Sequence, residues 1–456
     1  MVSKSLLVVG YFYLFCYGLF VARNGVLGLS YLNSDDASPF LAIELPAADS
    51  SSVDSGRTDG GAQSETPISW EKKEAQGVGL ESTAKDLNRI QTLHTRIIER
   101  RVRNSISRMT RDDTRRASGP SPKFNTGGFS GQLMATLKSG VSLGSGEYLM
   151  DVFVGTPPKH YSLILDTGSD LNWIQCKPCR DCFEQKGPYY DPMQSSSYRN
   201  IACKDPVAGL YRPLIPHSLA RLRLRVVLIT TGLGRGPLSF ASQLQSLYGD
   251  SFSYCLLSRN SNMSSKLIFG EDKGLLSHPD LNFTTLVAGK ENPVSTFYYV
   301  QIKSVVVGGE KLNIPEQMWS MSADGAGGTI VDSGTTLSYF ADPAYKIIKE
   351  AFEEKVKGYQ AVKDFPIMDP CYNVSGVDKL DLPSFSFVFA DGAVWNFPVE
   401  NYFIKLEPEN VVCLAILGTP RSALSIIGNY QQQNFHILYD MKRSRLGFAL
   451  TNCADI

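Results

Sequence analysis

The spacing of apolar residues at the N-terminus predicts a targeting segment. Lys4 precedes an apolar run from Leu6 to Ala22, and polar residues follow, which is the layout of a secretory signal peptide. We place it at residues 1–24. An uncleaved signal anchor is the alternative, because the run is long for a signal and short for a membrane span. The sequence therefore predicts entry into the secretory pathway and no membrane attachment after signal removal.

A polar stretch and then a helical pattern follow the signal. Residues 29–80 hold many Ser, Asp, Gly and Ala and few large apolar side chains, so burial would not offset the entropy of ordering them. Apolar residues then recur at helical spacing at Leu87, Ile90, Leu93, Ile97, Val102, Ile106 and Met109. The segment Lys85–Arg116, called here the basic segment, holds ten Lys or Arg against four Asp or Glu. It predicts a basic amphipathic helix, for which an ordinary surface helix is the simplest explanation.

The rest of the chain has the pattern of a β protein. Short alternating runs separated by Gly and Pro predict strands, and only two stretches have helical spacing. The clearest strands are Tyr148–Val154, Tyr299–Val307 and Asn434–Tyr439, and the helices are Pro237–Leu247 and Ala344–Lys357. Gly308-Gly309 predicts a hairpin turn rather than part of a nucleotide-binding loop. We therefore expect an all-β fold with a few short helices.

Composition and charge exclude several classes of protein. The chain has 456 residues, 43% of them hydrophobic and 20% charged, which is enough for two or three globular domains. Its formal net charge is zero, so no general attraction to nucleic acid or to a membrane surface is expected. The run RLRLRVV at 221–227 leaves a basic nucleic-acid patch as a weak alternative.

Two similar motifs carry the candidate chemistry. Leu163–Trp173 reads LILDTGSDLNW and Thr329–Phe340 reads TIVDSGTTLSYF. In each, an apolar strand runs into an Asp, a small hydroxyl residue, a Gly that permits a tight turn and a second hydroxyl residue. If the two turns face each other, Asp166 and Asp332 meet in one site. Two carboxylates that share a proton can act together, one as a base on water and the other as an acid toward a carbonyl.

A chance pair of unrelated Asp-Gly turns is the alternative explanation. It does not account for the apolar strand before each motif, nor for the similar apolar-Gly partner that follows each one. These partners are GLG at Gly232–Gly234 and IIG at Ile426–Gly428. The repetition favours two related lobes, each of which contributes one aspartate.

Longer motifs resemble those of the pepsin-like aspartic peptidases, specifically the plant nepenthesin-like type. They are GEYLMDVFVGTPPKHYSLILDTGSDLNWIQC from Gly146, GRGPLSF from Gly234, FSYC from Phe252, FYYVQIKSVVVGG from Phe297, DSGTT from Asp332 and IIGNYQQQNFHILYD from Ile426. The resemblance covers about 146–453. It implies a bilobal fold with a cleft between an N-terminal lobe at 141–290 and a C-terminal lobe at 291–456. Residues 25–140, with the basic segment, would form a propeptide whose cations cover an acidic cleft until acid weakens the contact.

The resemblance also implies a function. The expected activity is endopeptidase cleavage at acidic pH, with catalytic Asp166 and Asp332 and no metal or other cofactor. The expected supporting residues are Thr167, Gly168, Ser169, Ser333, Gly334 and Thr335. Trp173 matches a family position near the site, although an ordinary core Trp is equally compatible with its surroundings. The implied partner is an extended polypeptide substrate, and the implied protein is a monomer, extracellular (apoplast) or vacuolar.

One stretch departs from the family. Asp332 and Gly428 are 96 positions apart, but Asp166 and Gly232 only 66. The family has a β-hairpin flap and further cysteines here, whereas this chain has an unrelated segment around 204–231, with Thr230-Thr231 in place of an apolar pair. A spliced or mispredicted segment would explain it. A genuine one predicts weak turnover, because no flap excludes water, and a secreted non-catalytic binding or inhibitor protein on the same fold is the alternative function.

The cysteines and sequons fit a secreted protein. Apart from Cys16 in the signal, eight cysteines remain, an even number that predicts disulfides rather than a zinc site at 176–182. The resemblance implies the pairs Cys176–Cys179, Cys255–Cys453 and Cys371–Cys413, and leaves Cys182 and Cys203 paired with each other or as thiols. Sequons at Asn262, Asn282 and Asn373 predict N-glycosylation.

Overall fold

A computed structural model gives the fold, and it describes most of the chain after residue 130. The described residues are 131–179, 182, 185, 187–198, 229–287, 294–321, 327–363, 365–406, 410–419 and 424–456, together with Thr83, Lys85–Leu87, Arg89, Ile90 and Leu93. The predicted signal peptide, most of the predicted propeptide and the departing segment up to residue 228 lie outside them. Within the described part, no helix is long and apolar enough to cross a bilayer.

The largest sheet has nine strands. In chain order these strands are β1 (Leu133–Ser139), β2 (Tyr148–Val154), β3 (Lys159–Asp166), β4 (Ile229–Gly232), β5 (Ser251–Cys255), β6 (Ser265–Phe269), β7 (Asn282–Thr285), β21 (Phe435–Asp440) and β22 (Arg445–Leu450). Their order in the sheet is β4-β3-β2-β1-β6-β5-β21-β22-β7. Two strands from the end of the chain are therefore inserted between strands of the first lobe. β1 also belongs to this sheet, although it lies before residue 141, the predicted start of the N-terminal lobe.

Three smaller sheets form the second lobe. The strands are β8 (Tyr299–Val300), β9 (Ile302–Val307), β10 (Glu310–Lys311), β11 (Thr329–Val331), β12 (Ser338–Ala341), β13 (Gln360–Val362), β14 (Cys371–Asn373), β15 (Phe385–Phe389), β16 (Val394–Phe397), β17 (Phe403–Leu406), β18 (Val411–Leu414), β19 (Ile416–Thr419) and β20 (Ser425–Ile427). One sheet has the order β10-β9-β15-β16 and another the order β13-β14-β18-β17. The third, β19-β12-β20-β11-β8, carries the second Asp turn.

Helices are short and few in the described part, so the all-β prediction is confirmed. The α-helices are α1 (Phe240–Tyr248), α2 (Lys273–Leu276) and α3 (Asp342–Lys355), and short 3-10 turns lie at Gly140–Leu143, Pro192–Gln194, Glu316–Met318, Val399–Asn401 and Cys453–Asp455. α1 and α3 match the two predicted helices to within a few residues. The predicted turn also occurs: Val307 pairs with Glu310, and Gly308 and Gly309 have φ of 57° and 78°, values that favour glycine.

The disulfides require one correction. Cys255 is bonded to Cys453 and Cys371 to Cys413, the pairs that the resemblance implies. Cys179, however, is bonded to Cys182 and not to Cys176. The reason is the direction of the Cys176 side chain, which is buried in the core while its main chain pairs with Tyr190. Cys179 and Cys182 lie in an exposed loop with their Cα atoms 5.9 Å apart, within disulfide range. Cys182 is therefore not left for Cys203.

Candidate active site

Each candidate aspartate lies at the end of a buried strand. β3 delivers Asp166, and β4 runs parallel to it with Leu165 opposite Thr231 and Asp166 opposite Gly232. In the second lobe, β11 leads to Asp332 and pairs in parallel with β20. The main-chain N–H of Asp332 donates to Ile427 at 3.0 Å, which extends this ladder to the aspartate itself. Both carboxylates are almost fully buried, at 2% and 0% exposure, so their positions are set by sheets rather than by loops.

The two carboxylates receive the same set of hydrogen bonds. Gly168 N–H donates to Asp166 Oδ1 at 2.9 Å, and Ser169 Oγ donates to Asp166 Oδ2 at 2.5 Å. In the second turn, the N–H of Gly334 donates to Asp332 Oδ1 at 3.0 Å and Thr335 Oγ1 to Asp332 Oδ2 at 2.6 Å. Donors of this kind stabilise the ionised form of a carboxylate and fix its plane. The two turns are therefore chemically equivalent, as the repeated motif predicts.

The two turns are also joined to each other across the cleft. The main-chain N–H of Thr167 donates to Ser333 Oγ at 3.1 Å, and the main-chain N–H of Ser333 donates to Thr167 Oγ1 at 2.9 Å. Each hydroxyl then donates to a carbonyl of the opposite lobe, Thr167 to Val331 at 3.3 Å and Ser333 to Leu165 at 2.8 Å. All of these groups are buried. This cross-link holds the two aspartates at a fixed separation.

The glycines of the motifs are required by close approach. A Cβ at Gly168 would lie 2.7 Å from Asp332 Oδ1, and one at Gly334 would collide with Asp166 Oδ1. Real Cβ atoms essentially never approach another heavy atom so closely. Each glycine thus leaves the space in which the opposite carboxylate lies, and the structure brings all eight predicted site residues together.

An arginine from the basic segment lies directly on the two aspartates. Arg89 donates to Asp332 through Nε and Nη2, both at 3.0 Å, and to Asp166 through Nη1 at 3.3 Å and through a short contact from Nη2. Its Nε also donates to Thr335 Oγ1 at 3.1 Å. A planar guanidinium suits two carboxylates because its donors form a rigid fork. One side chain thus occupies the place where a water and a substrate carbonyl would have to be.

The arginine changes the acidity of the site. Burial alone raises the pKa of Asp166, but the charge and hydrogen bonds of Arg89 outweigh burial and hold that pKa below its usual value. The same ion pairs raise the pKa of Arg89, although its burial acts in the opposite direction. Docking of Arg89 is therefore stabilised at pH values above the pKa that Asp166 has in the absence of the arginine. This stabilisation is lost as the pH falls and the carboxylate binds a proton.

Arg89 belongs to a helical piece that lies in the cleft. We call Thr83, Lys85–Leu87, Arg89, Ile90 and Leu93 the docked helix, since each of these described residues is helical. Ile90 and Leu93 are buried, as expected for the apolar face of the predicted helix, and they pack against residues of the second lobe. Leu87 is 38% exposed, so its place on the predicted apolar face is wrong. The pattern after Leu93 lies outside the described residues. The sequence identified the cations of this segment as a group but not Arg89 as the one at the dyad.

The surroundings of the remaining predicted residues are as follows. Trp173 is half-buried, and its main-chain N–H donates to Thr230 at 3.2 Å. Asn262, Asn282 and Asn373 are all exposed, which is compatible with glycosylation; the modification itself stays a prediction. No cluster of metal-ligating side chains occurs among the described residues.

The departing segment ends in β4, where it places a polar residue at a buried position. Thr231 replaces an apolar residue, its side chain is 1% exposed, and no described residue hydrogen-bonds its hydroxyl. We expect Thr231→Val to raise the free energy of unfolding by about 1 kcal/mol, because Val has the same shape without an unsatisfied buried hydroxyl. Thermal unfolding measures this. Thr230→Val, at a less buried position on the same strand, is the control and should give no gain; a clear loss of stability in Thr231→Val would contradict the prediction.

Known proteins match this chain along most of its length. The family profile described as "Xylanase inhibitor C-terminal" matches residues 297–450, and "Xylanase inhibitor N-terminal" matches 148–217 and 230–271. The interruption of the second match falls within the departing segment. "Aspartyl protease family protein 2" of Arabidopsis thaliana is 34% identical over 372 residues, covering 72% of this chain and 74% of the relative. "Aspartic proteinase nepenthesin-1" of Nepenthes gracilis is 32% identical and covers 70% and 80%.

Solved structures agree on the fold. The crystal structure of edgp has a TM-score of 0.59 at 19% identity, with 74% of this chain and 97% of that chain covered. Basic 7S globulin from soybean has a TM-score of 0.55 at 18% identity, with 71% and 96% covered. The bilobal prediction is confirmed by this likeness, by the paired Asp turns and by the sequence relatives together. The chain belongs to the pepsin-like aspartic peptidases, and within them to the nepenthesin-like type.

Proposed function

We propose that this protein is an aspartic endopeptidase, made as a latent precursor. One of Asp166 and Asp332 takes a proton from a water held between them, and the water oxygen forms a bond to the peptide carbonyl carbon. The other aspartate, protonated, gives its proton to the carbonyl oxygen. Collapse of the tetrahedral intermediate breaks the C–N bond as the nitrogen receives a proton. No metal or other cofactor is needed.

A single observation carries this proposal: the equivalence of the two carboxylates. Each has a Gly N–H on one oxygen and a hydroxyl on the other, and the two turns are cross-linked through Thr167 and Ser333. Among the described residues, the cation in contact with the two aspartates is Arg89 of the docked helix. Two equivalent buried carboxylates favour sharing of one proton, because they cannot both ionise cheaply once that arginine has left.

Latency follows from Arg89. While the docked helix is in place, the guanidinium of Arg89 forms ion pairs with both carboxylates and blocks the water site. Acid weakens this contact because protonation of a carboxylate removes the ion pair. The propeptide must then end before β1 (Leu133–Ser139) and not at residue 140, because this strand belongs to the sheet of the first lobe. Once the signal peptide and propeptide have been removed, the protein works as a monomer on polypeptides, in the apoplast or the vacuole.

A non-catalytic binding protein is the second candidate. One observation favours it: the matching profiles are described as xylanase inhibitor domains. The sequence around 204–231, which departs from the flap pattern of the family, agrees with it. The intact and symmetric dyad favours the enzyme, because a binding protein needs neither carboxylate. The two candidates differ in one measurable property, which is turnover.

The test is cleavage of a mixed peptide pool by the purified chain as a function of pH. Turnover should appear only in acid, roughly between pH 2 and 5, where a coupled dyad holds one proton. A statine-type transition-state analogue should abolish it. The rate should be low, because no family-type flap closes over the substrate. Absence of turnover across this range, in a chain that has lost its propeptide, would favour the binding protein.

A further inference from the structure

A second residue of the docked helix fills a site of its own. The carboxyl of Asp86 accepts hydrogen bonds from the main-chain N–H groups of Thr336 and Leu337, at 2.9 and 3.1 Å, and from Tyr339 Oη at 3.1 Å. Asp86 is only 1% exposed. It lies three positions before Arg89 and so about one helical turn away from the residue on the dyad. We call these three donors the carboxyl cradle.

The cradle belongs to the second lobe and not to the docked helix. Thr336 and Leu337 directly follow the second Asp turn, and the carbonyl of Thr336 accepts from the N–H of Tyr430 at 2.9 Å. Gly428 packs so closely on the segment before β12 that a Cβ there would collide with the main chain of Leu337. The two N–H groups are therefore held in place from within the lobe, and they keep their direction when Asp86 leaves.

Once Asp86 has left, buried donors remain without an acceptor. The hydroxyl of Thr336 is also buried, and among the described residues it has no hydrogen-bond partner even now. Buried polar groups that lose their partner without a replacement destabilise the protein. Water or a ligand must therefore replace the carboxyl. A second carboxyl is the group that satisfies all three donors in the geometry already present.

Electrostatics decides in which protonation state a carboxyl binds there. Burial raises the pKa of Asp86 to about 7 from an ordinary 3.8, the bonds from Thr336 and Leu337 lower it, and the nearby carboxyl of Glu147 raises it further. Glu147 itself faces Lys85 and Arg89 of the docked helix and Arg259 of the first lobe. A raised docked pKa means that this contact is strongest below about pH 4 and weakens as the pH rises to about 7. The cradle thus holds its carboxyl best under the acidic conditions in which the contact of Arg89 weakens.

We propose that the carboxyl cradle is a subsite for an acidic side chain, filled here by Asp86 and, after the propeptide leaves, by an Asp or Glu of a bound peptide. The cradle itself stands on the contacts of Asp86. Its use by a substrate rests on the proposed function. The two parts are tested separately.

The first experiment uses the full chain and needs no activity. Asp86→Ala should speed hydrogen exchange of the docked helix at least about tenfold, because the cradle loses its ligand. Leu87→Ala, at the exposed neighbouring position, is the control and should exchange like the unaltered chain. Sodium acetate should slow exchange in Asp86→Ala, and more strongly at about pH 5, where part of it is protonated, than at about pH 7. Acetamide at equal concentration and sodium chloride at equal ionic strength should not slow it. Equal effects of acetate and chloride would overturn the proposal.

A second variant covers the case in which Asp86→Ala does not fold. Tyr339→Phe removes one donor and leaves the carboxyl, so it should speed exchange of the docked helix by a smaller factor than Asp86→Ala and should not respond to acetate. If exchange in Tyr339→Phe is unchanged, the hydroxyl of Tyr339 does not help to hold Asp86, which contradicts the cradle as defined here.

The second experiment addresses the substrate. Acid-treated full chain should cleave a peptide library with a preference for Asp or Glu at one fixed position from the scissile bond. Tyr339→Phe should reduce that preference several-fold, measured as the ratio of kcat/KM for matched peptides with and without the acidic residue. Cleavage with no acidic preference overturns the substrate role and leaves the peptidase assignment intact. Acetate rescue in a chain that never cleaves supports the cradle and refutes the peptidase.

Discussion

Replacement of Asp166 or Asp332 by Asn should abolish peptide cleavage, with a fall of about 10⁴-fold or more, because neither the base nor the shared proton survives. Asn keeps the size of the side chain. Its Oδ1 can still accept from the Gly N–H, and its Nδ2 can donate to the hydroxyl beside it, so the fold should be retained. The measurement is initial rate on a peptide substrate after acid treatment, together with the thermal unfolding midpoint of each variant.

Asp191→Asn provides a matched control for the same chemical change. Asp191 caps a short 3-10 turn in the first lobe by accepting from Met193 N–H, and Asn caps equally well. Its rate should therefore stay close to that of the unaltered chain. A doubly substituted Asp166→Asn, Asp332→Asn chain that still cleaves peptides would refute the assignment of the dyad.

Loss of Arg89 should release the cleft. Arg89→Met keeps most of the side-chain length but removes the cation shared by two buried carboxylates, and breaking such a pair costs about 3–5 kcal/mol. The full-length chain should then expose its dyad without acid. We expect binding of a fluorescent statine-type probe at a pH at which the unaltered precursor does not bind it, with an apparent affinity at least about 10²-fold higher.

Lys85→Met is the comparison for Arg89→Met. Lys85 donates from Nζ to the carbonyl of Gly144 at 2.9 Å and faces Glu147, but it makes no ion pair with Asp166 or Asp332 among the described contacts. Its loss should cost only about 1 kcal/mol and leave the probe excluded. If Arg89→Met is as latent as Lys85→Met, latency does not come from the arginine at the dyad and must come from the remainder of the propeptide.

The local parts of this architecture could be predicted from sequence because they depend on neighbouring residues. The Asp turns, the strand before each of them, the Gly308-Gly309 hairpin and helix α3 all follow from short patterns. The pairing of the turns followed from their repetition. The Cys179–Cys182 bond was not predicted, because it depends on the inward direction of Cys176, which a loop with three cysteines at equal spacing does not reveal.

Contacts between distant segments were harder to predict. The positive charge of the basic segment is evident in the sequence, yet eight of its ten cations look equivalent to Lys85 and Arg89. Arg89 is singled out only by the burial of Ile90 and Leu93 on the second lobe, which sets the rotation of the helix. Asp86 is harder still, since an acidic residue in a basic helix would normally be placed on the solvent side.

The position of the last two strands has a consequence for synthesis in the cell. β21 pairs with β5 and β22 with β7, so the first lobe's sheet contains a gap until residue 450 has been made. A chain emerging from the ribosome must therefore hold β5 and β7 apart, with open edges, while more than a hundred further residues are added. We infer that the sheet of the first lobe is completed only after β21 and β22 have left the ribosome, and that truncation before or within these strands would damage the N-terminal lobe.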